Sequence, residues 1–238
     1  MPTEHIVTAY DQELTQLKMK VTEMGGLAEA QLANALEAMQ QRDTELATRT
    51  IEADTRVDDL EQDIDQFVVQ LLALRQPMAS DLREIIVALK ISSDLERIAD
   101  YATNVAKRTV TLAQYPQVRP AHAIPRMVRL ALTMIHDVLD SYSDRDTQKA
   151  IAVWHRDEEL DEMYTSLFRE LLTYMMEDAR SISSCTHLLF IAKNIERVGD
   201  HATNIAEYIY FLVEGKPLLQ SRPKGGDDEY DRMDTPQD

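Results

Sequence analysis

The residues of this chain that could do chemistry are carboxylates, anchored by a motif that occurs twice, one hundred residues apart. The first copy reads Glu96-Arg97-Ile98-Ala99-Asp100-Tyr101-Ala102-Thr103-Asn104-Val105-Ala106. The second reads Glu196-Arg197-Val198-Gly199-Asp200-His201-Ala202-Thr203-Asn204-Ile205-Ala206, identical at seven of the eleven positions. In each copy a carboxylate at i and i+4 is followed by an Asn amide at i+8, which puts all three on one flank of a helix. A repeat this long marks a duplicated structural unit. Upstream, Arg42-Asp43-Thr44 recurs as Arg145-Asp146-Thr147, and eleven residues past each aspartate comes a second acidic pair, Asp54 with Asp58 and Asp157 with Asp161.

On a helical wheel the flank is the same throughout. Counted from Leu95, Glu96, Asp100 and Asn104 fall at about 100°, 140° and 180°, and Glu196, Asp200 and Asn204 fall at about the same angles from Ile195. Asp54 and Asp58 lie at about 80° and 120° from Ile64, as Asp157 and Asp161 do from Leu167. Height agrees as well. Positions 54 and 100 share the midpoint 77 with positions 58 and 96, and Pro77 is the expected turn. In the second copy both midpoints fall between Asp178 and Ala179. Each helical hairpin therefore gathers four carboxylates at one level with an amide one turn further on.

A lone acidic pair is ordinarily a solvated helix face. Here like charges at i, i+4 also face two more across the hairpin, which costs stability unless a cation offsets it. Oxygen donors of this kind suit Mg²⁺, Ca²⁺, Mn²⁺ or ferric iron. The candidate metal ligands are thus Asp54, Asp58, Glu96, Asp100 and Asn104 in the first copy, and Asp157, Asp161, Glu196, Asp200 and Asn204 in the second. Wheel angles put both sets at the surface of their bundles, with Arg97 and Arg197 as salt-bridge partners or braces.

The elements that must position them read as helices. Apolar residues recur at helical spacing over about residues 3–41, with Gly25-Gly26 expected to interrupt and bend that helix. A second helix is expected from Asp43 or Thr44 as N-cap to Pro77, with Val57, Leu60, Ile64, Phe67, Leu71 and Leu74 on its apolar seam. A third spans about residues 80–114. After the stiff segment Tyr115-Pro116-Gln117-Val118-Arg119-Pro120, a shorter helix to about residue 143 and two long ones, about 146–177 and 181–213, repeat the plan. The last carries an unbroken heptad line from Leu188 to Leu212, the geometry of a left-handed bundle. The offset between copies is 103 upstream and 100 at the motifs, so the second copy lacks three residues, expected at its turn.

The architecture expected is all-α: a three-helix bundle over 1–114, a linker over 115–120, a second bundle over 121–214, and an acidic, disordered tail over 215–238. Composition agrees, since glycine (6 residues) and aromatics are scarce while Ala, Leu, Glu, Asp and Met are plentiful. One cysteine, Cys185, suits core packing in a reducing compartment. No apolar run approaches the ~18 residues of a membrane span, so a cytoplasmic chain is expected. A net charge of −17 argues against nucleic acid or anionic lipid as a partner and points to cations or basic protein surfaces. His155, His187 and His201 lack a second histidine at ligand spacing. The chain has no Glu-x-x-His pair, P-loop, nucleophile elbow or dinucleotide fingerprint.

At the motifs Glu96-to-Asp100 and Glu196-to-Asp200, with partners Asp54-to-Asp58 and Asp157-to-Asp161, the chain resembles the PhoU family of phosphate-signalling regulators. The resemblance covers about residues 3–214. It implies duplicated three-helix bundles, an accessory role rather than enzymatic activity, and homodimers. It implies as partners the ATPase subunit of the Pst phosphate ABC transporter and the sensor kinase PhoR, with the phosphate-starvation response held off when phosphate is ample, and contact with the membrane only through these partners. It also implies surface clusters of iron or other metals. Lys107 stands where the second copy has Glu207, an expected weakening of the first site. A metal store or metal-dependent enzyme built on the same carboxylates, and a metal-free scaffold, are the rival readings.

Overall fold

The computed structural model describes residues 2–218, and the expected tail lies outside the described residues from position 219 onward. Helix α1 (Pro2–Gln41), a helix broken into α2 (Thr44–Glu52) and α3 (Asp54–Arg75), and α4 (Ala79–Leu112) form the first bundle. After a short 3₁₀ turn (Arg119–Ala123), α5 (Ile124–Asp144), α6 (Thr147–Glu177) and α7 (Ile182–Glu214) form the second. Among the described residues there is no strand, and no helix is long and apolar enough to cross a membrane.

The repeated Arg-Asp-Thr motif is the corner that turns each first helix into its second. Arg42 and Arg145 both take φ 55°, the left-handed conformation that ends a helix. Asp43 and Asp146 then act as N-caps, each accepting from two backbone N–H groups at 2.9–3.1 Å. The Arg42 guanidinium also donates to the carbonyls of Leu112, Ala113 and Tyr115, so α1 and α4 end at the same pole of the molecule. At the opposite pole α3 stops at Arg75, whose guanidinium grips Glu13 of α1 at 2.7 and 2.8 Å. The change of offset fits this turn: at 103 Arg75 corresponds to Asp178, just past the end of α6, and at 100 Ala79 corresponds to Ala179, so Gln76, Pro77 and Met78 have no counterpart.

Three expectations change. Helix α1 runs unbroken through Gly25–Gly26. Gly25 serves close packing instead: a Cβ there would lie 2.3 Å from Leu139 Cδ2 of α5. The break falls at Ala53, where no Gly or Pro announces it, immediately before Asp54. Leu74, placed on the seam of the second helix, is exposed near its end.

The bundles pack through α4 and α7, which run antiparallel. Lys90 faces Tyr208, Asp94 faces His201 and Asn204, Tyr101 faces Arg197, and Arg108 faces His187 and Phe190. This series centres on Ala99 and Gly199, equivalent positions of the two motifs. A parallel series, Lys18 with Ser143, Gly25 with Leu139 and Glu29 with His136, joins α1 to α5 and centres near residues 30 and 133, again equivalent. Centres at equivalent positions mark an approximate twofold axis through both seams. Near the crossing Ile98 and Val105 of α4 and Val198 and Ile205 of α7 are buried. Each fully buried branched side chain there contributes about 1.5–3 kcal/mol.

Asp94 is the polar lock of this seam, its side chain 10% exposed, with Oδ1 2.5 Å from His201 Nδ1 and accepting from Asn204 Nδ2 at 3.3 Å. Asp94→Ala leaves both half-buried partners without this acceptor and should lower unfolding free energy by about 1–3 kcal/mol. Asp94→Asn should cost less. Urea denaturation of the two variants checks the order.

Candidate functional site

Helices α3 and α4 place the first acidic set on one flank of their hairpin. Asp54 and Asp58 are half-buried in the first turns of α3, and Asp100 is half-buried on α4. The Glu96 side chain, also on α4, is 18% exposed. The wheel angles put these groups on open surface. Burial is deeper because the carboxylates crowd one another across the hairpin and, at Asp54, meet Gln31 of α1. The charges act on one another across the hairpin. Burial and then repulsion by Asp54 and Asp100 hold the Asp58 carboxyl above its ordinary range. Burial comes first at Glu96 too, followed by Asp100 and, across the hairpin, Glu61 and Asp58. Against the pull of Arg97, they push its carboxyl up to about 7.

Glu61 is a member that the motif search missed. Its carboxyl is raised by burial first and then by Asp65, with Asp58 and Asp100 also contributing. The signal was available, since Glu61 sits within about 20° of Asp54 on the same wheel. Compensation in this cluster is thin. Arg97 lies 3.3 Å from both Glu96 and Asp100, but its side chain is 56% exposed. Gln31 of α1, itself buried, donates to Asp54 at 2.8 Å while also reaching Thr103.

The second set is arranged differently. Asp157 on α6 is 1% exposed, deeper than any other candidate. It fits because Gly199 has no side chain: a Cβ there would stand 3.0 Å from Asp157 Oδ1 and 2.5 Å from Leu160 Cδ2. Asp161 and Asp200 are half-buried. Burial raises the Glu196 carboxyl, Lys193 opposes that through a hydrogen bond of 2.7 Å, and Asp200 and Asp157 add repulsion. The Arg197 guanidinium lies over the Tyr101 ring of α4, 5.8 Å from its centroid.

Asn204 is drawn away as well, to Asp94 in the seam, while Asn104 is half-buried at the matching position of α4. The Lys107/Glu207 difference lies elsewhere too: Glu207 accepts from the Trp154 indole at 3.0 Å, and Lys107 is exposed.

The donor chemistry of the first cluster, all carboxylate oxygen with a surplus of negative charge, fits a hard cation. As the side chains stand, no three His, Cys, Asp or Glu among the described residues converge closely enough to hold a metal ion. The second cluster fits less well, because an ammonium group already lies against its most central carboxylate.

Comparison with known proteins follows the duplication. The family model described as "PhoU domain" matches twice, over residues 21–109 and 124–209. A relative from Caulobacter vibrioides, "Phosphate-specific transport system accessory protein PhoU homolog", is 51% identical over 223 residues, 93% of this chain and 97% of the relative. The "Phosphate-specific transport system accessory protein PhoU" of Escherichia coli K12 is 37% identical over 230 residues, 97% of this chain and 94% of that one. Among solved structures, PhoU from Pseudomonas aeruginosa is similar at a TM-score of 0.85 and 38% identity, covering 87% of this chain and all of its own. The phosphate transport system regulatory protein PhoU from Streptococcus pneumoniae gives 0.83 and 30%, covering 89% and 100%.

The raised carboxyl of Glu96 makes a signed prediction. Its folded value of about 7 exceeds the ordinary 4.5, so the native state takes up this proton more readily than the unfolded chain. The group's contribution to stability is therefore full below pH ~4.5 and lost as pH rises through ~7. Without metal, Glu96→Gln should stabilise the protein by about 1–2 kcal/mol at pH 8, after discounting for solvent screening, and change little at pH 4.5. Denaturant unfolding at the two pH values in chelator reads this out.

Proposed function

This chain belongs to the PhoU family, and from that membership we propose that it is an accessory regulator of phosphate-specific transport. In this reading it works in the cytoplasm, bridging the ATPase subunit of the Pst transporter and the sensor kinase PhoR and keeping the phosphate-starvation response off while phosphate is ample. The observation that carries it is the double match of the family model, one match on each bundle, together with relatives similar over nearly their whole length. The role needs docking surfaces rather than a catalytic group.

Several features suit docking, as a homodimer and on partners. The hairpin tips expose apolar side chains at equivalent positions, Val69 with Leu172 and Leu82 with Ile182. The overall charge of −17 favours encounter with basic protein faces, mainly through association rate and salt dependence.

Metal binding belongs to the same proposal. Asp54, Asp58, Glu96 and Asp100, with Glu61 beside them, would hold an oxygen-seeking cation such as Mn²⁺, Mg²⁺, Ca²⁺ or ferric iron, which would relieve their repulsion. Glu96, raised despite its one exposed arginine partner, supports this over a scaffold with empty carboxylates.

A strain lacking this protein should express phosphate-starvation genes in phosphate-rich medium, and the wild-type gene should restore repression. Normal repression in the deletion strain would remove the regulatory assignment. For the metal, Mn²⁺ at a hundredfold excess over its Kd should add about 2.7 kcal/mol. That corresponds to a melting shift of about 5–10 °C for a domain of this size. Asp100→Asn should remove most of the gain, as read by calorimetry.

A further inference from the structure

The two acidic clusters are built on equivalent positions, yet their charge is balanced differently. In the second cluster the Lys193 ammonium lies 2.7 Å from Glu196 Oε1, and it also sits 5.1 Å from the centroid of the Tyr164 ring. Neither residue has a like counterpart: the equivalent positions hold Ser93 and Glu61. Where the first cluster has an exposed hydroxyl, the second has an ammonium group. Where the first adds another carboxylate, the second has an aromatic face that attracts a cation. Both differences move the charge balance in the same direction, and they meet at one atom, the Lys193 Nζ.

We propose that Lys193, held between Glu196 and Tyr164, is the resident counter-ion of the second cluster, and that this cluster takes no metal ion in the native protein. A cation bound by Glu196 would stand within about 4–5 Å of the ammonium and be repelled by it. The lysine is partly buried, so bulk water screens that repulsion only in part. The ammonium serves Oε1 alone. Glu196 Oε2 is buried without a hydrogen-bond partner. Removing the lysine therefore leaves a buried carboxylate with both oxygens available and repulsive neighbours in Asp157 and Asp200. The second motif is in this sense a latent cation site closed by a tethered cation. The contrast rests on the reading of the first cluster given above, but the role of Lys193 does not.

The test uses the full chain, melted in chelator and again with Mn²⁺. Lys193→Ser should gain an Mn²⁺-dependent rise of about 5–10 °C beyond the wild-type response, for one new site at hundredfold excess. Adding Asp200→Asn to that variant should cancel the new rise. Asp200→Asn alone should leave the wild-type response unchanged. Lys193→Met, which keeps the aliphatic stem over Tyr164, is run alongside to separate lost charge from lost packing and should respond as the serine variant does. If both lysine variants respond only as the wild type does, or if Asp200→Asn alone abolishes the wild-type response, the proposal is overturned. A wild type with no Mn²⁺ response beside responsive lysine variants would remove the cation role of the first cluster and leave that of Lys193 standing.

Discussion

A carboxylate withdrawn from water must be met by a cation, a proton or hydrogen-bond donors, and this structure withdraws several at one level of each hairpin. Burial alone disfavours their charged form, and each neighbour of like sign adds to the cost. The molecule answers in three ways. At Asp54 the answer is a donor, the Gln31 amide from α1. At Glu196 it is a cation, the Lys193 ammonium. At Glu96 it is weakest: one largely exposed arginine, with the carboxyl held high enough to keep its proton near neutrality. The equivalent position of Gln31 in the second bundle is Met134, so the donor solution was not repeated either.

These choices are coupled to how the bundles meet. The approximate twofold axis passes between α4 and α7 at Ala99 and Gly199, in the middle of the two motifs. At that level Gly199 makes room for a carboxylate of α6, that of Asp157. The faces that meet are not identical. Asp94 on α4 corresponds to Asn194 on α7, and Tyr101 to His201, so the acid–histidine pair forms once rather than twice. At the ends of the seam α4 supplies the cations, Lys90 and Arg108, while α7 supplies the aromatic faces, Tyr208 and Phe190. A change of charge at the second acidic motif is therefore within reach of the contact that joins one bundle to the other, through Asn204 and Asp94.

Much of this was legible in the sequence because it is local. Wheel angles and shared midpoints placed Asp58 across from Glu96, and the paired motifs gave the duplication. The change of offset from 103 to 100 pointed to residues missing near the turn, where Gln76-Pro77-Met78 separate α3 from α4. Asp43 and Asp146 were readable as caps. What stayed hidden depends on contacts between distant segments. The break at Ala53 has no local breaker, and Gly25 reads as a bend until Leu139 of another helix is seen against it. Nothing in periodicity says that α4 and α7 run antiparallel, so Asn204 looked like a ligand rather than a donor to Asp94. Lys193 sits in between: its i, i+3 spacing to Glu196 was visible, but its place over Tyr164 was not.

The central claim is that two motifs with the same acidic framework differ in what neutralises them. Crystals soaked in Mn²⁺ and recorded at a wavelength where manganese scatters anomalously would locate the ion directly. The account predicts an anomalous peak among Asp58, Glu96 and Asp100, and none beside Glu196. Peaks of equal height at both motifs, or one at Glu196 alone, would contradict it.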